Sequence, residues 1–243
     1  MSDSRRGDAA GGSTPDRWFG VRGRAAYLPD PDALVIADLH LGRARTSNVD
    51  FPLPERDSIE SRLASHLTAV DPRTVVFAGD VCHAFESIPK GVGEALAALR
   101  ERVDAADAEL VVVRGNHDTT LDALADPVPE TRLRDGTVVH HGHEPPEADA
   151  SRFVVGHDHP AIEIEGVRHP CFLWGNGSYR EADVLVLPAF TELAAGTPVN
   201  GMRGRDADSP LLADIGSFRP IVRDETGETL VFPPLDSLRD HLR

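Results

Sequence analysis

The sequence predicts an α/β fold in which two mixed β-sheets pack face to face with helices outside them. Two observations carry this reading. Up to about residue 118, buried-looking apolar runs alternate with amphipathic helical stretches, and the order strand, helix, strand, helix, strand argues for parallel pairing in an α/β layer. From Asp135 onward the helical period is gone, and short apolar runs split by turn residues follow without any linker.

Taken in order, residues 1–20 ("MSDSRRGDAAGGSTPDRWFG") are small, polar and without period, which predicts a disordered tail ahead of one domain over residues 21–243 with a β-rich C-terminal half. "RAAYLPDPDALVIADLHLG" reads as two strands around a Pro-Asp-Pro-Asp turn, the second being the buried run Leu34 to Ala37. Ile59, Leu63, Leu67 and Val70 fall on one stripe of a helix that follows Pro52 and Pro54 and stops at Asp71-Pro72. "TVVFAGD" is the next apolar run, and Val92, Leu96, Leu99 and Val103 mark a second amphipathic helix before "ELVVVRGNHD". "TVVHHGHEP", "RFVVGHDHP", "CFLWGNG" and "DVLVLPAF" read as short strands, and "PIVRDETGETLVF" as a hairpin around Thr226-Gly227. There is no internal repeat.

Composition narrows the setting more than the function. The 243 residues are 40% apolar, enough for a real core, and no window approaches the apolar length of a membrane span. The N-terminus has no apolar signal region, so a cytoplasmic location is expected. Cys82 and Cys171 are too few for a disulfide framework and are read as structural. The net charge is −15 and Lys90 is the only lysine. Such a surface repels polyanions in dilute salt, but it also fits a halophilic protein, for which molar salt cuts the Debye length to roughly 3 Å. Net charge therefore says little about substrate.

The chemistry sits at the ends of the apolar runs. Leu34 to Ala37 leads into Asp38-Leu39-His40, Val75 to Ala78 into Gly79-Asp80, and Val111 to Arg114 into Gly115-Asn116-His117-Asp118. Val138-Val139 leads into His140-His141-Gly142-His143, and Phe153 to Val155 into Gly156-His157-Asp158-His159. Alternation along an extended chain puts His157 and His159 on one face. Singly, each of these residues is better read as a turn former, a cap or a solvated histidine. Five strand ends carrying Asp, His or Asn, four with an adjacent glycine, are improbable as independent turn chemistry, and ligands gather at the carboxyl ends of strands in open α/β sheets. Imidazoles, carboxylates and a carboxamide suit Mn²⁺, Fe or Zn²⁺. Seven ligands exceed one tetrahedral ion and suit two ions about 3.5–4 Å apart that share a carboxylate.

This arrangement resembles the calcineurin-like metallophosphoesterase superfamily, whose blocks D-x-H, GD, GNH[DE], H and GH-x-H all occur here in order over roughly residues 34–160. The strings "DLHLG", "GDVCH" and "VLPAFTELAAGTPVN" are most similar to the archaeal phosphoesterases related to SbcD, a bacterial repair nuclease. The resemblance implies a four-layer α/β/β/α sandwich and a metal-dependent phosphoric ester hydrolase that attacks with hydroxide held between two divalent ions, Mn first, with Fe, Zn and Ni as alternatives. It implies that Asp38, His40 and His159 hold one ion, that Asn116, His141 and His157 hold the other, and that Asp80 bridges them. His117 becomes the general acid, with Asp118 behind it to fix its tautomer, and His83 corresponds to a histidine near the scissile phosphate. His140 and His143 compete with His141 as ligand, and His141 is preferred because it directly precedes Gly142.

The expected substrate is a phosphodiester, with single-stranded DNA or RNA as partner and no membrane. A hydrolase of small phosphate esters or nucleotides is the alternative, and a non-catalytic scaffold the least favoured reading. Arg180, Arg203 and Arg205 are candidates for a strand-binding groove, and Arg114 is the one basic residue inside the ligand blocks.

Overall fold

A computed structural model describes residues 17–43, 53–83, 88–223 and 227–239. The first sheet holds β1 (Gly20–Arg22), β2 (Ala25–Leu28), β3 (Ala33–Ile36), β4 (Thr74–Ala78) and β5 (Glu109–Val113), in that spatial order. β2 and β3 are antiparallel, whereas β3, β4 and β5 run parallel, joined through α1 (Leu53–Val70) and α2 (Val92–Ala105). α1 stops where the sequence predicts. Asp71, at φ 44°, donates its N–H to Leu67 O as a left-handed C-terminal cap, and Pro72 cannot extend the helix.

Two-residue alternation sorts these strands between two cores. Leu34, Ile36, Val75 and Phe77 face the helices and pack with Ile59, Leu63, Leu96 and Leu99. Val35, Val76, Ala78 and Val113 face inward and meet Val139, Val154, Phe172 and Leu185 of the second sheet.

The second half comprises β6 (Glu130–Arg132), β7 (Val138–His140), β8 (Arg152–Val155), β9 (Pro160–Ile164), β10 (Val167–Pro170), β11 (Phe172–Tyr179), β12 (Ala182–Val186), β13 (Thr197–Pro198), β14 (Arg219–Arg223) and β15 (Thr229–Val231). Seven of them form the sheet β15-β14-β11-β12-β8-β7-β6, while β10, β9 and β13 make a separate small sheet. β7, β8 and β12 are parallel, so β7 and β8 deliver their carboxyl ends to the same side. The β14–β15 hairpin pairs as expected, although residues 224–226 of its turn lie outside the described residues.

Two expectations need refinement. The face-to-face sheets are present, but the layer outside the second sheet consists of 3-10 turns at Pro210–Leu212 and Ile215–Ser217 plus the four-residue α3 (Leu235–Leu238). Antiparallel hairpins supply much of that sheet, and hairpins need no crossover helix. The tail expected over residues 1–20 lies outside the described residues as far as 16, but its end belongs to the fold. Phe19 is buried against Trp174, and Gly20 opens β1. Among the described residues no helix is long and apolar enough to cross a membrane.

Candidate metal centre

The site lies where the carboxyl ends of strands from both sheets meet. β3 delivers Asp38 and His40, β4 delivers Asp80, and β5 is followed by Asn116, His117 and Asp118. β7 is followed by His141, and the turn between β8 and β9 carries His157 and His159. Five of the seven expected ligands stand in the left-handed region: Asp38 at φ 58°, His40 at 48°, Asp80 at 48°, His157 at 74° and His159 at 45°. Non-glycine residues enter that region rarely, at a cost of roughly 1–3 kcal/mol each, and persist there only where the surroundings over-determine them.

Adjacent glycines make room for this crowding. A Cβ on Gly115 would lie 2.1 Å from Asp80 Oδ1, and one on Gly79, at φ 86°, would lie 2.3 Å from His141 Nδ1. These two positions must be bare for the ligand blocks to close on one another.

The side chains converge in two overlapping groups around Asp80. In the first, ligand atoms of Asp38, His40, Asp80 and His159 all lie within 4.8 Å of one another. His159 Nε2 is 3.0 Å from Asp38 Oδ1 and 3.1 Å from His40 Nε2, and His40 Nε2 is 3.9 Å from Asp80 Oδ2. In the second, His141 Nε2 is 3.3 Å from Asp80 Oδ1 and 3.1 Å from Asn116 Oδ1, and the His157 ring centroid is 5.1 Å from that of His141. Second contacts fix the ligands. Ala78 O lies 3.0 Å from His141 Nδ1, the His157 N–H donates to Asp38 Oδ2 (3.1 Å), and the His117 N–H donates to Asp80 Oδ1 (2.9 Å).

These donors fit divalent metal. Asp38 and Asp80 are almost wholly buried, and the groups facing them are imidazoles and a carboxamide, so two buried anions require compensating positive charge, which neutral ligands leave to a cation. Burial pushes His40 down to about 3 despite its two carboxylates, and burial with His141 pushes His157 down to about 4, which leaves both rings neutral as ligands at pH 7. Burial works against charge on both Asp80 and His141, yet their mutual contact overrides it. Asp80 falls well below the usual carboxylate range while His141 rises, so a proton on His141 occupies the place a cation would take. Burial and Asp118 push the Cys82 thiol up to about 12, so Cys82 offers no thiolate.

The remaining expected residues divide. His83 and His117 stack with ring centroids 5.1 Å apart, and the His40 ring lies 5.4 Å and 5.5 Å from them, which puts both on the edge of the first group. Asp118, expected behind the His117 ring, has backbone partners of its own. Its buried carboxylate accepts from the backbone N–H groups of Cys82 (2.8 Å), Gly115 (2.9 Å) and Val81 (3.3 Å), tying the turns after β4 and β5 together. Of the competing histidines, His140 accepts the Gly142 N–H at Nδ1, and His143 stacks on His140.

Among the arginines, Arg114 is engaged by Asp122. Arg180 sits in the β11–β12 turn over the Tyr179 ring, and because β12 runs parallel to β8 that turn is at the opposite end of the sheet from His157, so it lines no groove at the site. Arg205 pairs with Asp206. Sequence reading passed over Arg43. Its charge acts on His40, His83 and His159, and the signal was available, because Arg43 follows the D-x-H block by only three positions.

Among curated proteins none matches the chain. Among solved structures the fold is similar to the Pseudomonas putida nuclease MPE, with a TM-score of 0.58 at 24% identity over 86% of this chain and 91% of that one. A second neighbour, the E. coli phosphoesterase Yfce, aligns over 84% of this chain and 98% of its own at 15% identity with a TM-score of 0.43. The profile of the calcineurin-like phosphoesterases matches residues 32–176, a span that opens at Asp32 just before β3, contains every convergent ligand, and ends within β11. The chain belongs to the calcineurin-like phosphoesterase family, whose members are metal-dependent phosphoester hydrolases.

Proposed function

We propose that the centre holds two divalent ions and hydrolyses phosphodiesters, with single-stranded nucleic acid as the favoured substrate class. The observation that carries the reading is the convergence of donors from both sheets around the buried Asp80 carboxylate, with His40 facing Oδ2 and beside it His159, and His141 facing Oδ1 and beside it Asn116. Asp38, His40 and His159 hold one ion, Asn116, His141 and His157 the other, and Asp80 both. Oxygen and nitrogen donors favour Mn²⁺, with Fe, Zn²⁺ and Ni²⁺ as alternatives. Two divalent ions held there would lower the pKa of water toward neutrality and would leave a net charge of +2 after the two carboxylates are offset.

The chain's own groups then have defined tasks. His117 Nε2 is 3.8 Å from Asp80 Oδ2, and its side chain is one quarter exposed, so the ring reaches both the ligand cluster and the cleft. From there it donates a proton to the leaving oxygen, while its backbone N–H orients the shared carboxylate. His83, stacked on His117, would contact a phosphate oxygen of the substrate. Asp118 keeps the His117 turn in place through Gly115, Val81 and Cys82.

A diester brings one negative charge and extends on both sides of the site, whereas a monoester brings two and calls for further cationic donors. Arg114 is spent on Asp122, which favours the diester. Arg43, acting on His40, His83 and His159, favours the second reading, a hydrolase of small phosphate monoesters. The test compares bis-aryl and mono-aryl phosphates, single-stranded DNA and RNA with Mn²⁺-loaded protein at high chloride, the condition suited to a lysine-poor acidic surface. The diester should win by about tenfold in kcat/KM, about 1.4 kcal/mol in transition-state binding. Equal rates or a monoester preference would transfer the assignment to the small-ester hydrolase.

A further inference from the structure

Residues 187–199 run from the end of β12 to β13 and touch both Asp38 and His159 through main-chain bonds. Phe190 N donates to Ala37 O (2.8 Å) and Thr191 N to Asp38 O (3.4 Å). Further along, Thr197 N donates to His159 O (2.8 Å) and Val199 N to Ala161 O (2.9 Å). Asp38 and His159 are also the pair whose side chains meet at 3.0 Å, and both stand at positive φ. Something must hold those two backbones in a region that L residues avoid. The same segment lies against both.

It is anchored at each end. Arg24, from the β1–β2 turn, donates Nη1 to Ala189 O (3.0 Å) and also to Thr191 O. Phe190 is fully buried, with the Arg62 guanidinium 4.9 Å from its ring centroid, and Thr191 is fully buried beside it. At the far end Asn200 makes two hydrogen bonds with the backbone of Glu163 on β9, accepting its N–H and donating to its carbonyl. Gly196, at φ 74°, is so close to β9 that a Cβ would lie 2.7 Å from Ala161 Cβ and 3.1 Å from His159 O.

We propose that residues 187–199 are a positioning strap for the Asp38–His159 pair and that Arg24, which touches no ligand, sets the affinity of one metal position through it. This rests on the two-ion reading. The other position is fixed differently, by Asp80 and Ala78 O around His141, so loosening the strap acts on the two positions unequally.

The test titrates Mn²⁺ into the metal-free full chain by calorimetry for wild type, Arg24→Met, Arg24→Lys and Gly196→Ala, with thermal melts to show that each is folded. Amide exchange of the metal-free proteins is followed at Phe190, Thr191 and Thr197. Arg24→Met and Gly196→Ala should each weaken one Mn²⁺ by roughly 10-fold and leave the other within about twofold, with Arg24→Lys between Met and wild type. Exchange at the three amides should quicken, while Gly156 N–H, held by His141 O, keeps its wild-type rate. Unchanged affinity at both positions, or equal weakening of both, in a folded variant would overturn the proposal. If Arg24→Met does not fold, Gly196→Ala and Arg24→Lys decide it by the same criteria. A wild-type chain that binds fewer than two Mn²⁺ overturns the two-ion reading instead, and the strap is then decided by exchange alone, with unchanged rates at Thr191 and Thr197 ruling it out.

Discussion

The two sheets bring different chemistry to the place where they meet. The first contributes both carboxylates, Asp38 and Asp80, together with His40, Asn116 and His117, whereas the second contributes only imidazoles, His141, His157 and His159. The anionic half also carries the shared ligand, since Asp80 stands within 3.9 Å of rings from both groups. The difference teaches that all of the anionic charge comes from one side. The first half sets the electrostatic demand for cations, and the second adds nitrogen donors alone.

The comparison breaks most visibly through unequal substitutions. Asp80→Ala, in the anionic half, should cost both ions, whereas His157→Ala should cost one, because its ring approaches only the His141 side. Elemental analysis of the dialysed variants separates the two, and equal losses would erase the distinction between the halves. The next effect tests whether the anionic half also holds the proton donor. His117→Asn should keep its metals and lose roughly 10²–10⁴-fold in rate on esters with poor leaving groups, but far less on p-nitrophenyl esters, which depart without a proton. A loss independent of the leaving group would remove that role from His117.

A smaller effect lies away from the centre. Burial, with Arg22 and Arg62 nearby, pushes His66 down to about 4, so the folded protein holds this ring neutral while the unfolded chain protonates it below about 6.5. The unfolded state then binds more protons, so stability present at neutral pH drains away as the pH falls from about 6.5 to 4, by up to about 3 kcal/mol from this group. His66→Leu should flatten the acid limb of a denaturant-midpoint profile over that window. An unchanged limb would show that His66 is charged in the fold.

The two halves also differed in how far they could be read from sequence. β3, β4 and β5 were legible as short continuous apolar runs that end in polar residues, and α1 and α2 as apolar stripes at helical spacing. The short strands of the second half could be located but not ordered, since the place of β12 between β8 and β11, and the separation of β9, β10 and β13 into their own sheet, depend on long-range pairing that no local pattern encodes. The same divide runs through the site. Asp38, Asp80 and the GH-x-H histidines were legible as residue types at strand ends, but their left-handed backbones were not, because tertiary contacts impose them. Asp118 was legible as a member of its block, but its bonds to three backbone amides from separated turns were not, because they depend on tertiary contacts. Arg24 carried no local signal at all, because its carbonyl partners lie 165 and 167 positions away.

The central claim is that one buried carboxylate, shared between two sheets, organises two divalent ions. Metal content measured on wild-type protein after Mn²⁺ loading and exhaustive dialysis tests it most directly. The account predicts close to two ions per chain. A value that stays near one under saturating Mn²⁺ would contradict it.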